Sequence, residues 1–199
     1  LSAGLKLTVA PTRERILRAA IRLFQQRGYH GIGVSEILCE AQAPKGCLYH
    51  HFPKGKAQLA VAAIESIAAD YESLFERSRA RGMRVAEIVR TLARLEMRWL
   101  EQTHWREAGL FSVLVQGFVP EAPELHAALA SVHARRQRLL ERALREDGVK
   151  DVRGWAALAL AALDGGMIQA AAARDARLLR LAADRAADCL ETAEGRDGS

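Results

Sequence analysis

The sequence predicts an all-α protein of about nine helices, with a small N-terminal three-helix unit followed by a larger helical body. Apolar residues recur at three- and four-residue spacing along most of the chain, and no segment alternates as a half-buried strand would. Near the N-terminus two short helical segments are joined by about three residues, the second opening at Pro44. That is helix-turn-helix spacing. The charge is also lopsided. Through Gln58 there are nine Lys/Arg against three acids, net +6, whereas the remainder carries 20 against 21.

The elements follow in order. Ile16, Leu17, Ala20, Ile21 and Phe24 form one helical face, with Thr12 as a natural N-cap, Glu14 in the first turn and Gly28 as the stop. Val34, Ile37, Leu38 and Ala41 make a short second helix capped at Gly33. A third spans about 45–51 and must end before Pro53, because a residue preceding proline avoids helical geometry. Longer helices are expected over about 56–79, 85–103, 105–118, 123–146, 151–173 and 175–191. Gly82, Pro120, Pro123 and Gly148 punctuate them, and Asp151 and Asp175 cap the last two.

The 199 residues are half apolar and 27% charged, as in a globular protein. The longest apolar run, 155–163, is too short to cross a bilayer, and no signal-peptide pattern opens the chain. A cytoplasmic protein with no membrane partner is expected. Cys39, Cys47 and Cys189 are odd in number and lack CxxC spacing, which argues against a disulfide framework or a zinc site. His50 and His51 are adjacent, so their side chains point about 100° apart on a helix and do not chelate together. No GxSxG, P-loop or HExxH pattern is present, and His104, His126 and His133 fall at no catalytic spacing. Neither an enzyme, a metal nor a cofactor is expected.

The basic N-terminal third suits a polyanion, whether nucleic acid or an anionic membrane surface. The third helix narrows the choice. Leu48 and Phe52, four apart, face inward, leaving Lys45, Cys47, Tyr49, His50 and His51 on the outside or edges. A cation, a phenol and two imidazoles can reach phosphates and base edges. Tyr49 is better placed there than in a core face that Leu48 and Phe52 already fill. Cys47 lies near a helix N-terminus, where a thiol can sense oxidants, but no second cysteine accompanies it. Arg13, Arg15, Arg18 and Arg22 divide between a solvated face and the polyanion surface.

Residues Gly28-Tyr29, Val34-Ser35-Glu36-Ile37-Leu38 and the run from Ala43 through Phe52 closely resemble the DNA-binding domain of TetR-family regulators. The continuation Pro53-Lys54-Gly55-Lys56-Ala57-Gln58-Leu59 also fits, and its Gly-Lys spacing is similar to the LmrA- and QacR-like subgroup. The resemblance covers about residues 12–71. It implies a helix-turn-helix DNA-binding domain at 1–60 and a helical effector-binding and dimerisation domain at 61–199. It places Lys45 and Cys47 near base edges, Tyr49 on a phosphate, His50 or His51 on backbone or base, and Lys56 on a phosphate at a helix N-terminus. Gly46 and Lys54 complete the expected DNA-contacting set. Two residues depart from the pattern. Gln42 stands where glycine is usual and is strained if left-handed, and Cys47 stands where Ser or Thr is common.

A helix-turn-helix reads a palindromic operator as a dimer. The apolar stripe of the last two helices, with Trp155, Leu158, Ala162, Leu163, Gly166, Leu178, Leu181 and Cys189, is the expected homodimer interface. The resemblance also implies a body pocket for a small-molecule effector, with Met83, Trp99, Trp105, Phe111, Gln116 and Phe118 as candidate walls. The expected function is a repressor of double-stranded operator DNA, released by a small, largely apolar effector. A helical enzyme or carrier with a basic head, or a membrane-surface protein, are the alternatives. Salt-dependent binding to a palindrome separates them.

Overall fold

The computed structural model describes residues 10–117 and 122–195. Among them it contains nine helices and no strand: α1 (Thr12–Arg27), α2 (Val34–Glu40), α3 (Cys47–His51), α4 (Gly55–Ala80), α5 (Val85–Gln102), α6 (Leu110–Gln116), α7 (Pro123–Glu146), α8 (Val152–Ala173) and α9 (Arg177–Gly195). The expected all-α fold is therefore observed.

Several boundaries differ from expectation for local reasons. Thr12 is the first helical residue rather than the cap. Pro11 precedes it, and its carbonyl accepts from the Glu14 and Arg15 N–H groups at 2.9 and 3.1 Å. At the other end Gly28, with φ of 69°, donates its N–H to Phe24 O. The third helix begins at Cys47, because residues 44–47 close a turn through Cys47 N–H to Pro44 O at 3.0 Å. Gly46, a poor helix former, lies inside that turn.

The largest correction concerns the helix expected over 105–118. His104 and Trp105 both adopt left-handed backbone, with φ of 53° and 60°, so the chain turns sharply after α5. Regular helix resumes only at Leu110, after Gly109. Asp175 keeps its capping role although α9 starts at Arg177. Its Oδ1 accepts from the Arg177 N–H at 3.0 Å.

Two apolar cores result. The first joins Ile16, Ala20 and Phe24 of α1 to Ile37, Leu48 and Phe52, and continues through Leu59, Ala63 and Ile64 of α4 to Leu110 and Leu114 of α6. The second gathers α5, α8, α9 and the C-terminal part of α7 around Val85, Val89, Leu144, Leu160 and Leu179. Helix α4 passes unbroken through residue 60 and enters both. Asp147 ties three ends together. Its carboxylate, only 6% exposed, accepts from Arg79 at 2.7 Å and from the Val85 N–H at 2.9 Å, capping α5.

Helices α8 and α9 pack closely. At Gly166 a Cβ would come within 2.9 Å of Leu179 Cδ1. By length and composition α8 is apolar enough to cross a membrane. In this fold Ala156, Ala159, Leu160, Leu163, Met167 and Ala170 are buried in the second core.

Candidate nucleic-acid interface and body cavity

The helix-turn-helix is held from below by α1. The Arg15 side chain donates to the carbonyls of Ala41 and Gln42 at 3.2 and 3.1 Å, gripping the turn between α2 and α3. Arg22 pairs with Glu40 and Arg27 with Glu36, the latter at 2.5 Å. Glu36 Oε1 also accepts from the Gly33 N–H at 3.0 Å, capping α2. That backbone bond first, and Arg27 second, hold the Glu36 carboxyl below its ordinary range. Gln42 has φ of 49°, so this non-glycine residue does occupy the left-handed turn position.

On this base α3 turns Leu48 and Phe52 inward, both essentially unexposed, with the Arg13 guanidinium 5.2 Å over the Phe52 ring. Lys45, Gly46, Tyr49, His50 and Lys54 are exposed, while Cys47, His51 and Lys56 are half-buried. Tyr49 stands out at 61% exposure, a large ring displayed rather than packed. It lies beside Gly55, whose φ of 69° opens α4 and where a Cβ would meet Tyr49 Cε1 at 3.4 Å. The Lys56 ammonium sits 4.3 Å over the Tyr29 ring, and burial lowers its pKa against the opposing pull of Glu36.

The N-terminal positive charge thus divides. Arg13, Arg15, Arg22, Arg27 and Lys56 brace the domain, Arg18 pairs with Glu14, and Lys45 and Lys54, on either side of α3, are exposed without side-chain partners among the described residues. The rings of His50 and His51 meet edge to face at 4.8 Å. No group of three or more His, Cys, Asp or Glu suited to a metal occurs among the described residues.

The body holds a cavity of about 270 Å³ walled by α4, α5, α6, α7 and α8, with Gln25 of α1 at its edge. Of the candidate walls, Trp99 and Phe111 line this space. Met83 and Trp105 instead pack against the second core, and Phe118 and the Gln116 side chain lie outside the described residues. Sequence reasoning missed the cavity's polar floor. Tyr71 Oη donates to Glu96 Oε1, and Arg136 holds Asp164 through two bonds of 2.9 and 3.1 Å. The Arg136 guanidinium also lies 5.7 and 5.4 Å over the Tyr71 and Phe111 rings. These residues come from different helices, so no local motif joins them. A signal existed nonetheless: Glu96 falls in the inward stripe of Leu92, Ala93 and Leu100, and Asp164 in that of Leu160, Leu163 and Met167. An ionisable residue at a core position is a site candidate. A second space of about 570 Å³ adjoins and shares Phe111, Ser112, Arg136 and Asp164 with the first.

The residues expected at a dimer interface also divide. Leu163 and Gly166 are buried within the subunit, and Trp155 is half-buried against the second core. Leu158 and Leu181 are 42% and 54% exposed, Cys189 is exposed, and Ala162 and Leu178 are half-buried. Ile168, 43% exposed, extends the same outward face.

A braced helix-turn-helix that displays one short polar helix, mounted on an all-helical body, defines a DNA-binding transcriptional regulator. Residues 16–63 match the family model for bacterial regulatory proteins of the TetR family. Residues 85–185 match that for the C-terminal domain of LmrA/YxaF-like transcriptional regulators. The chain belongs to the TetR family, in its LmrA/YxaF-like branch. It is 51% identical to the HTH-type transcriptional regulator LmrA of Bacillus subtilis over 61 residues, 31% of this chain and 32% of that protein. It is 42% identical to the HTH-type transcriptional repressor NemR of Escherichia coli over 66 residues, 33% of each. These matches span about a third of the relatives' length. The fold is shared more widely. A TetR regulator from Legionella pneumophila superposes with a TM-score of 0.82 at 17% identity, covering 92% of this chain and 99% of that one. CifR, solved with 26-bp operator DNA, gives 0.73 at 20% identity over 90% and 97%.

Proposed function

We propose that the chain is a cytoplasmic repressor that binds a palindromic operator as a homodimer and leaves it when a small, largely apolar effector fills the body cavity. Residues 1–60 form the reading head and 61–199 the effector-binding and dimerising body. The observation that carries this reading is the direct join between cavity and head. Gln25 of α1 lines the cavity, its carbonyl accepts from the Ala108 N–H at 3.1 Å, and Gln26 donates to Glu107 at 3.2 Å.

In the head, Lys45, Gly46, Cys47, Tyr49, His50 and His51 face the major groove or its flanking phosphates, with Lys54 and Lys56 on the backbone. In the body, the outward stripe of Leu158, Ala162 and Ile168 on α8 and Leu178, Leu181 and Cys189 on α9 meets its copy. The result is a four-helix bundle. The exposed leucines and isoleucine support this, since they form an apolar face with small residues between them. The two heads must then lie about 34–36 Å apart to enter successive major grooves.

Fluorescence anisotropy on an operator selected from random duplexes tests the reading. Binding should be saturable, sequence-selective and steeply salt-dependent. Tyr49→Phe removes one phosphate hydrogen bond from each of the two heads and should weaken binding by roughly ten- to hundredfold, without changing the thermal transition. Equal binding by the variant would remove Tyr49 from the interface, and indifference to sequence would overturn the regulator's operator.

A further inference from the structure

We propose that the body cavity takes an apolar molecule carrying one protonated amine, held by an ion pair between that amine and the carboxylate of Glu96. The inference rests on the reading of this cavity as the effector site and specifies the chemistry of its occupant.

Glu96 Oε2 is sealed from solvent and is the sole buried side-chain oxygen or nitrogen among the described residues without a hydrogen-bond partner. Such an atom in a native fold calls for a partner that the chain does not supply. The neighbouring groups leave it in need of a cation. Tyr71 Oη already donates to Oε1, an arrangement that favours the ionised carboxylate. Arg136, the only cation lining the cavity among the described residues, is committed to Asp164 through both terminal nitrogens. Asp164 from α8 and Asp70 from α4 add negative charge, α6 contributes Phe111 and Ser112, and α1 contributes Gln25. His126 and His133 of α7 line the adjoining space instead. With Glu96 ionised the described residues of the wall hold three carboxylates against one guanidinium.

The rest of the cavity asks for an apolar body. Leu74, Leu92, Trp99 and Phe111 line a partly open space of about 270 Å³, suited to a one-ring molecule. Burial raises the Glu96 pKa to about 7, with Asp164 adding to the shift and Tyr71 and Arg136 opposing it. Near neutral pH part of the population is therefore protonated and unable to pair with a cation. A primary amine with a lysine-like pKa of about 10.4 stays charged throughout. Its apparent affinity then follows the ionised fraction of Glu96 and rises about tenfold from pH 6 to pH 8.

Calorimetric titration of the full chain with 4-phenylbutylamine and its neutral counterpart 4-phenylbutanol, at pH 6 and pH 8, tests this. The amine should bind more tightly than the alcohol at pH 8, and its affinity should rise about tenfold between the two pH values. Glu96→Gln, of nearly the same shape, should lose both the preference and the pH dependence while keeping its circular dichroism and alcohol affinity. Equal affinity for amine and alcohol, or an unchanged amine affinity in the variant, overturns the proposal. So does affinity that falls with rising pH, which would make protonated Glu96 a donor to an acceptor ligand. Release of operator by 4-phenylbutanol or butylbenzene but not by the amine overturns the proposal while leaving the effector reading standing. Cavity binding that never changes operator affinity overturns the effector reading instead.

Discussion

Glu96→Gln should flatten the pH dependence of folding stability between pH 5 and 8. Burial lifts the Glu96 carboxyl from 4.5 to about 7 in the folded chain. Between those values the native state binds the proton that the unfolded state has released, so stability is highest below 4.5 and is lost as pH rises through 7. At 1.36 kcal/mol per pH unit the full penalty is roughly 3 kcal/mol, and the part falling between pH 5 and 8 is roughly 2–3 kcal/mol. Glutamine carries no charge and no such penalty. It can also accept from Tyr71, although its amide leaves a buried donor that costs about 1–3 kcal/mol at every pH. The informative quantity is therefore the difference in slope rather than the absolute stability. Urea unfolding at fixed protein concentration, followed at pH 5, 6, 7 and 8, isolates it, because every other titrating group cancels between parent and variant. The parent should lose about 2–3 kcal/mol relative to the variant across that range. Parallel profiles would mean that Glu96 is solvated or paired, and would remove the physical basis for a ligand at Oε2.

Three further outcomes follow from individual contacts. Ala162→Glu combined with Leu181→Glu should give monomers by sedimentation equilibrium with folding intact, since four unpaired carboxylates would face one another across the proposed bundle; an undisturbed dimer would move the interface elsewhere. Asp147→Ala should cost about 1–3 kcal/mol in urea unfolding, by removing one of the two carboxylates that hold Arg79 and uncapping α5, and a loss below about 0.5 kcal/mol would show that Glu146 and water replace it. Gln42→Gly should stabilise the head by roughly 0.5–1 kcal/mol, the relief of left-handed strain less the entropy glycine adds to the unfolded chain, and a lower melting temperature would mean the Gln42 side chain contributes more than its backbone costs.

The elements legible in the sequence were those with unambiguous punctuation. Pro123 opens α7 and Gly148 follows its end, so the sequence marks both bounds of α7, and Gly82 marks the end of α4 to within one residue. The 105–109 segment reads as helix in sequence because nothing in Trp-Arg-Glu-Ala contradicts helix locally. The left-handed pair His104–Trp105 depends on Trp105 packing against the second core, a tertiary contact that no window of sequence contains. The same limit governs the sites. Lys45 through His51 are contiguous, and their inward and outward positions follow from helical period alone. Tyr71, Glu96, Arg136 and Asp164 are spread over more than ninety positions and meet only after α4, α5, α7 and α8 have packed. Periodicity assigned the apolar stripe of α8 to one interface, whereas the fold divides it, with Leu163 and Gly166 inward and Leu158 and Ile168 outward.

Helix α6 is where occupancy of the cavity and posture of the head meet under the effector reading. It is seven residues long, too short to hold its own conformation, and is kept in place by its side chains. Leu110 and Leu114 are buried in the core that α1 shares, while Phe111, the next residue along, forms cavity wall. A ligand that displaces Phe111 together with its backbone rotates or shifts the helix that Leu110 and Leu114 anchor to the head, because a close-packed interior transmits strain. Such a movement matters only through a difference in affinity: a ligand that fits both postures of α6 equally shifts neither, however tightly it binds. By reciprocity, operator DNA must weaken binding of the ligand by the same factor by which the ligand weakens binding of DNA. Phe111→Ala separates this route from a passive wall. Enlarging the cavity should leave ligand binding possible but reduce that mutual factor, measured by titrating ligand with and without saturating operator. An unchanged factor would place the coupling along α4, which also runs from head core to cavity, rather than through α6.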